Sequence, residues 1–430
     1  MIASKIKHIV VIGGGFAGLN FIKVIARSKS YRITLVDRNN YNQFTPLVYQ
    51  VATGFLEPSN ISYPFRKFLR KRRNIHFHLG ELIKLSSEDH LVYLNNATIS
   101  YDYLVLAFGS VSNFFGNDKL RHNSIAMKTL TDALNMRNTL LQSLEQACNT
   151  GDEALRSKLL TVVIAGGGPT GVEIAGMLGE MRNIIIRRDY PELQDSMGRI
   201  YLIDGSNAVL SQMSHRSQED ATERLEKLGV KIIVNTYITG YESEEVKLSN
   251  GVHIQTRSLI WAAGVTGVPL EGIPMVNYGK NGRLIVDRYN KVCDVNDVYA
   301  VGDNCLETSD IGFSNGHPQL AQPAIQQGKQ LADNFIAMAR GQLLKPFTYH
   351  DKGVMAIIGK NRAVVDFAKP RLHLNGFPAL LIWLFIHINF LIAFDNKLKT
   401  LCNWIITYLT GDQSLRVVIN SRNADDRGTL

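Results

Sequence analysis

Two glycine-rich runs, and the carboxylates that follow them, carry the chemistry this chain could do. The first, Gly13-Gly14-Gly15-Phe16-Ala17-Gly18, follows the apolar pattern His8-Ile9-Val10-Val11-Ile12. The second, Gly166-Gly167-Gly168-Pro169-Thr170-Gly171, follows Thr161-Val162-Val163-Ile164-Ala165. In a strand–turn–helix unit the first glycine makes the tight turn and the second lets backbone approach a pyrophosphate. The third allows close packing of helix on strand. The helix N-terminus then meets phosphate charge with free N–H groups and the positive end of its dipole. One such run is weak evidence, because glycines cluster in many loops. Two of them, each with a strand pattern before and a helix pattern after, predict two dinucleotide sites, and two dinucleotides in one polypeptide point to an electron relay.

Carboxylates stand where such sites need them. Asp37 closes Ile33-Thr34-Leu35-Val36-Asp37, about 20 residues past Gly18, where a carboxylate accepts hydrogen bonds from ribose hydroxyls. The bland alternative is a solvated strand end. Asp204 closes Arg199-Ile200-Tyr201-Leu202-Ile203 in the second half, the acidic position that favours NAD over NADP, although about ten extra residues intervene. Tyr101-Asp102-Tyr103-Leu104-Val105-Leu106-Ala107-Phe108-Gly109-Ser110 and Ser258-Leu259-Ile260-Trp261-Ala262-Ala263-Gly264-Val265 are matching strand-to-glycine passages that return the chain beside the nucleotides. Asp297-Val298-Tyr299-Ala300-Val301-Gly302-Asp303 is a third strand end with a carboxylate, which by composition alone carries little weight.

The elements that position these residues predict an α/β protein with two Rossmann-like domains and a C-terminal amphipathic helical segment. At 430 residues the chain exceeds a single ordinary core. The boundaries read as a discontinuous first nucleotide domain (1–115 and 285–345), a second nucleotide domain with a helical connection (116–284), and a membrane-docking region (346–430). Net charge +9 favours anionic partners without choosing among them. The basic run Arg66-Lys67-Phe68-Leu69-Arg70-Lys71-Arg72-Arg73 reads as a solvated helix face over 61–73; no aromatic-interleaved module accompanies it, which argues against nucleic acid. Four scattered cysteines exclude a disulfide framework or zinc site and leave no paired thiols for a disulfide reductase. The first strand begins within a few residues of Met1, so no signal peptide is expected.

The last 60 residues differ. Ala379–Phe394 is almost wholly apolar but falls short of the roughly 20 residues that cross a bilayer. A second amphipathic run spans Leu398–Leu409. Paired apolar helices bordered by Trp, Tyr and Lys predict a chain lying in the membrane surface. A buried helix pair or dimer interface is the alternative.

Together these pieces resemble the type II NADH:quinone oxidoreductases, single-chain flavoproteins of glutathione-reductase-like fold, from about residue 6 to residue 420. The motifs that carry the resemblance are Asn42-Gln43-Phe44-Thr45-Pro46-Leu47-Val48-Tyr49-Gln50-Val51-Ala52-Thr53-Gly54, Trp261-Ala262-Ala263-Gly264-Val265, and Ala321-Gln322-Pro323-Ala324-Ile325-Gln326-Gln327-Gly328. The resemblance implies tightly bound FAD at Gly13, Gly15 and Gly18 with Asp37 on its ribose and Asp303 on its ribityl chain. It implies NADH at Gly166, Gly168 and Gly171, with Glu173 near the nicotinamide end, and a quinone acceptor at Gln322 and Gln326, which are four apart on one helix face. Phe16, Ala17, Arg38, Thr45, Ala107, Gly109, Thr170, Asp204, Ala263, Gly264, Gly302 and Ala321 complete the expected cofactor-binding set; no metal is expected. Asn375 and Asp395 depart from the family pattern, where relatives commonly carry lysine and arginine, and lower the local positive charge.

The expected reaction is hydride transfer from NADH to FAD, then two electrons to a membrane quinone, in a respiratory chain and without proton pumping. The expected setting is the cytoplasmic face of the inner membrane, as a peripheral homodimer. The rival readings are a sulfide:quinone oxidoreductase, a soluble NADH-dependent ferredoxin or rubredoxin reductase, and a non-catalytic NADH-binding flavoprotein adaptor.

Overall fold

The computed structural model describes residues 6–193, 198–410 and 417–418. The elements that position the site begin with β1 (Lys7–Ile12), α1 (Phe16–Ile25), β2 (Tyr31–Asp37), α2 (Val48–Ala52) and β3 (Tyr103–Leu106). The middle of the chain supplies α3 (Leu130–Asn149), β4 (Val162–Ala165), α4 (Pro169–Met181), β5 (Ile200–Ile203) and β6 (Ser258–Trp261). The last third supplies α5 (Ala321–Ala339), α6 (Gly376–Phe390) and α7 (Phe394–Thr410). The chain forms two compact units, one of Met1–Gln43, Ser62–Val111 and Val265–Lys352, the other of Phe44–Ile61, Ser112–Gly264 and Gly353–Leu430.

The first unit is built on a five-stranded parallel sheet ordered Val298–Ala300, β3, β1, β2, Ile75–Leu79. β1 lies between β2 and β3, with Ile12 paired to Val36 on one side and Leu106 on the other. Val10 and Val11 are fully buried. A parallel strand covered on both faces must be apolar throughout, which is why β1 reads as a continuous run and not as an alternation. α1 packs on α5, and Gly328 makes that possible: a Cβ there would stand 2.2 Å from the Ala17 carbonyl oxygen. The basic run closes into a single short helix, Phe65–Leu69, with Phe65 and Leu69 buried and Arg66 and Lys67 outward.

The second unit repeats the design with the order Ile125–Ala126, β6, β4, β5, Val230–Ile233, all parallel. The α-helix after the glycine run ends at Met181 and passes into a π-helical turn, Arg182–Ile186. That turn and the short 3-10 turn Pro191–Leu193 take up part of the extra length between Gly171 and Asp204. The connecting segment forms Asp118–Asn123, α3 and Glu153–Leu160. α3 begins at a capping box in which Thr129 and Asp132 satisfy each other's backbone amides. α2 packs against both α3 and α4.

An antiparallel sheet of Val354–Ile357, Ala363–Phe367 and Leu372–Asn375 precedes α6 and α7. Leu391–Ala393 breaks the apolar run of 379–394 into two helices. Trp383 and Trp404 are buried with ring centroids 5.8 Å apart. Phe377 and Phe385 on α6, and Phe394, Leu398, Ile405, Ile406 and Leu409 on α7, are exposed. Among the described residues no helix is long and apolar enough to cross a membrane. Residues 411–416 and 419–430 of the expected docking region lie outside the described residues.

Candidate functional site

The two glycine runs fold into the same cradle. Gly13 has φ +102° and Gly166 φ +103°, and a Cβ on either would sit 2.4 Å from a carbonyl oxygen, that of Ala107 or of Ala262. Gly18 and Gly171 would likewise drive a Cβ into the carbonyls of Gly13 and Gly166, at 2.0 and 1.8 Å. Only glycine fits these four positions. Gly15 and Gly168 are different, because a Cβ on either would meet nothing within 4 Å. They are the N-caps of α1 and α4, and neither helix start carries a side-chain cap. The first-turn N–H groups, flanked by open space, are thus left to donate to an outside anion.

The two carboxylates take equivalent places. Asp37 accepts the Gly14 amide at 2.7 Å and the Asn39 amide at 2.8 Å. Asp204 accepts the Gly167 amide and, at 2.6 Å, the Ser206 amide. Each carboxylate therefore stands at its strand tip beside the middle glycine. Burial raises the Asp37 carboxyl above its usual range, against those two amides, which lower it. Asn42, a residue of the resemblance motif, donates to the Gly14 carbonyl at 2.7 Å. Phe16 and Ala17 open α1, Thr170 is exposed in the first turn of α4, Thr45 is half-buried, and Arg38 is exposed, 4.0 Å from Glu81.

The returning passages close beside the two glycine turns. The Ala107 amide donates to Ile12 and the Ala262 amide to Ala165, so each passage leaves its sheet beside β1 or β4. Gly109 (φ +76°) and Gly264 (φ +118°) turn the chain there, with Ala263 half-buried before the second turn. Asp303 is held by a residue the sequence reading missed: Ser110 Oγ donates to its carboxylate at 2.7 Å, and Gln319 donates to its carbonyl at 2.9 Å. Gln327 Oε1 accepts the Gly302 amide at 2.7 Å. The second half of the Ala–Gln signature is therefore scaffold: Gln327 fixes the Gly302 turn and Gly328 admits α1.

Ala321 and Gln322 open α5, and both are half-buried. The Gln322 carboxamide makes no hydrogen bond among the described residues. Gln326 is committed differently, with Nε2 donating to the His350 carbonyl and Oε1 accepting the His350 amide, both at 3.0 Å. In the second unit Glu173 is buried on α4, and among the described residues its Oε1 receives only the Ile357 amide, at 3.4 Å. Burial pushes its carboxyl well above the ordinary value. Asn375, one of the departures from the family pattern, donates to Asp220 at 2.8 Å.

The described cysteines are all free, and Cys305 is buried, with its thiol pushed up to about 12 by burial. A buried thiol of that kind is not a nucleophile at neutral pH.

Comparison with known proteins agrees with this geometry. Residues 7–328 match the pyridine nucleotide-disulphide oxidoreductase family and residues 351–413 the NDH2 C-terminal domain. The chain is 34% identical over 415 residues to the type II NADH:quinone oxidoreductase Ndh of Mycobacterium tuberculosis, covering 94% of this chain and 88% of the relative. The solved structure of Plasmodium falciparum NDH2 in complex with NADH superposes with TM-score 0.88, covering 97% of this chain and all of the other at 22% identity. The sulfide:quinone oxidoreductase of Aquifex aeolicus shares the fold at TM-score 0.71 and 20% identity, over 91% of this chain and 92% of that one. The fold is common to both enzymes; the long sequence match and the C-terminal domain separate them. The chain belongs to the type II NADH:quinone oxidoreductase family.

Proposed function

We propose that this chain is an FAD-dependent NADH:quinone oxidoreductase that works without pumping protons. Bound FAD supplies the redox chemistry, taking hydride from NADH and yielding two electrons to quinone. The protein's part is to hold, orient and supply protons. Gly13, Gly15 and Gly18 hold the FAD pyrophosphate at the start of α1, and Asp37 accepts its ribose hydroxyls. Asp303, braced by Ser110, orients the ribityl chain. Gly166, Gly168 and Gly171 hold NADH, with Asp204 on its ribose and Glu173 toward the nicotinamide end. Gln322 offers an uncommitted amide to a quinone carbonyl, and Gln326 steadies that helix face through His350.

The observation that carries this reading is the duplicate cradle: two uncapped glycine-rich helix starts, each with its strand-tip carboxylate in the same hydrogen-bonded place. The exposed apolar faces of α6 and α7 support peripheral docking to lipid; the setting we propose is the cytoplasmic face, as a homodimer. Stopped-flow flavin absorbance tests the reaction. NADH should bleach the flavin and a quinone analogue should restore its colour. Bleaching with no fast reoxidation would favour the adaptor reading. Proteoliposomes holding this protein alone should show no NADH-driven acidification.

A further inference from the structure

Two stretches of the chain, 1–36 and 58–80, hold no acidic residue, and each carries six lysines or arginines. The fold sets them side by side. β2 and the strand Ile75–Leu79 are parallel neighbours, with Thr34 against His76. Asn74 ties together the loops that lead into them, its Nδ2 donating to the Ser28 carbonyl at 3.2 Å and the Tyr31 carbonyl at 3.4 Å. Lys23 of α1 lies 5.9 Å from the Phe68 ring, and Arg72 lies 4.4 Å from the same ring. Both loops enter the N-terminal ends of their strands, whereas the first glycine cradle stands at the C-terminal end of β1, which runs parallel to β2. A strand's length, about 20 Å, separates the two ends, so cofactor phosphate is not what these loop cations neutralise.

Arg27, Lys29, Arg70, Lys71 and Arg73 are exposed, and none makes a side-chain hydrogen bond or an ion pair among the described residues. Elsewhere cations are matched: Lys158 and Arg257 share Glu244, Arg224 meets Glu180, and Lys119 meets Glu242. Arg72 is half-buried, and its buried Nη1 has no hydrogen-bond partner among the described residues. Burial, and then the Arg27 charge, lower its guanidinium from the ordinary value. Like charges gathered without acids repel one another, and an anionic surface relieves that repulsion.

The chemistry of the array selects among anions. Lys67 lies over the Tyr63 ring, Arg66 over Phe77, and Lys23 and Arg72 over Phe68, so these rings are not open platforms for stacked bases. A folded partner with fixed carboxylates would have to immobilise each long stem, at an entropic cost; laterally mobile headgroups need not. α7 is tied to the segment that leads into the basic helix, because Asn396 and Thr400 donate to the Asn60 carbonyl at 2.9 and 3.4 Å, and Phe65 follows five residues later. We propose that Arg27, Lys29, Arg70, Lys71 and Arg73 form a second membrane contact, one that selects anionic phospholipid headgroups. It rests on the reading of α6 and α7 as a lipid-docking face: that face gives apolar contact to any bilayer, and the array gives the headgroup preference.

Sedimentation of the intact flavoprotein with phosphatidylcholine vesicles, with and without phosphatidylglycerol, reads the two contacts separately. At low salt the wild type should prefer the anionic vesicles by at least about 100-fold, each cation near the surface contributing up to about fivefold. Arg27→Gln, Arg70→Gln, Lys71→Gln and Arg73→Gln together should abolish that preference, hold neutral-vesicle binding within about twofold, and leave NADH reduction of flavin unchanged. Arg27→Lys, Arg70→Lys and Arg73→Lys together keep every charge and should bind as the wild type does. Equal wild-type affinity for both vesicles, or a preference that survives in the glutamine variant, overturns the proposal. Loss in the lysine variant also overturns it, because a discrete guanidinium site would then be at work. Tighter wild-type binding to polyglutamate than to anionic vesicles, at equal negative charge and salt, would assign the array to an acidic polypeptide. Phe377→Ser, Phe385→Ser and Leu409→Ser together with neutral-vesicle binding intact would instead remove the α6–α7 reading, while the glutamine variant still decides the array.

Discussion

Glu173 shows what burial does to a single side chain. Its folded carboxyl holds a proton far more tightly than the same group in the unfolded chain. Stability is therefore lost as pH rises above the unfolded value near 4.3, at about 1.4 kcal/mol per pH unit until the folded group ionises. Glu173→Gln should raise thermal stability at neutral pH, with the advantage vanishing below about pH 4. A melting-temperature series against pH checks the sign, and a variant less stable at pH 7 would contradict it. Among the described residues Gln322 makes no internal bond that its loss would break. Gln322→Ala should leave flavin reduction by NADH unchanged and slow quinone-driven reoxidation by up to about tenfold, the worth of one neutral hydrogen bond. Reoxidation at the wild-type rate in the variant's stopped-flow trace would remove Gln322 from the acceptor site.

Elements carry the next level of control. In α6, His387 is half-buried, stacked on Trp383 at 3.8 Å, and its Nδ1 lies 2.8 Å from the Trp383 carbonyl. Burial lowers its pKa to about 4, against that hydrogen bond, which raises it. A depressed histidine prefers the neutral form when folded, so stability is present above about pH 6.5 and is lost as pH falls toward 4. Local stability over Gly376–Thr410 should drop by about 2 kcal/mol between pH 7 and pH 5. Hydrogen exchange corrected for intrinsic rates reads this directly, and His387→Phe should abolish the difference. If exchange in α6 and α7 does not change with pH, the depressed value is wrong. At the same scale, α1 and α4 owe their anion-ready ends to glycine N-caps, because a serine or aspartate cap would fill the donor positions internally.

For the whole molecule, the docking claim concerns exposed apolar area. Phe377 and Phe385 on α6 and Leu409 on α7 are exposed, whereas Trp383 and Trp404 are core. Truncation before α6 would strip both tryptophans from the fold, so surface substitution is the cleaner test. Replacing Phe377, Phe385 and Leu409 together with serine should weaken vesicle binding by at least about two orders of magnitude while leaving NADH reduction of flavin intact. Undiminished sedimentation with vesicles would refute lipid docking through this face. The net charge of +9 adds an electrostatic part, so the remaining binding to anionic vesicles should fall further with added salt.

The sequence by itself determined the parts that local geometry dictates. Gly13, Gly18, Gly166 and Gly171 are legible because turn and close approach admit no side chain, and Asp37 and Asp204 because they end the next strand. The apolar runs of β1 and β4 announce a parallel sheet covered on both faces. Tertiary structure decided what depends on partners remote in the chain. Gln326 and Gln322 look alike in sequence, yet one is tied to His350 and the other is uncommitted. Glu173 sits in a helix's first turns, where a solvated role is the default, and only packing buries it. Tyr49, Gln50 and Trp404 form a line spanning some 350 residues of chain. Periodicity records which face of an element is apolar, but the partner of a buried polar group is fixed by packing alone.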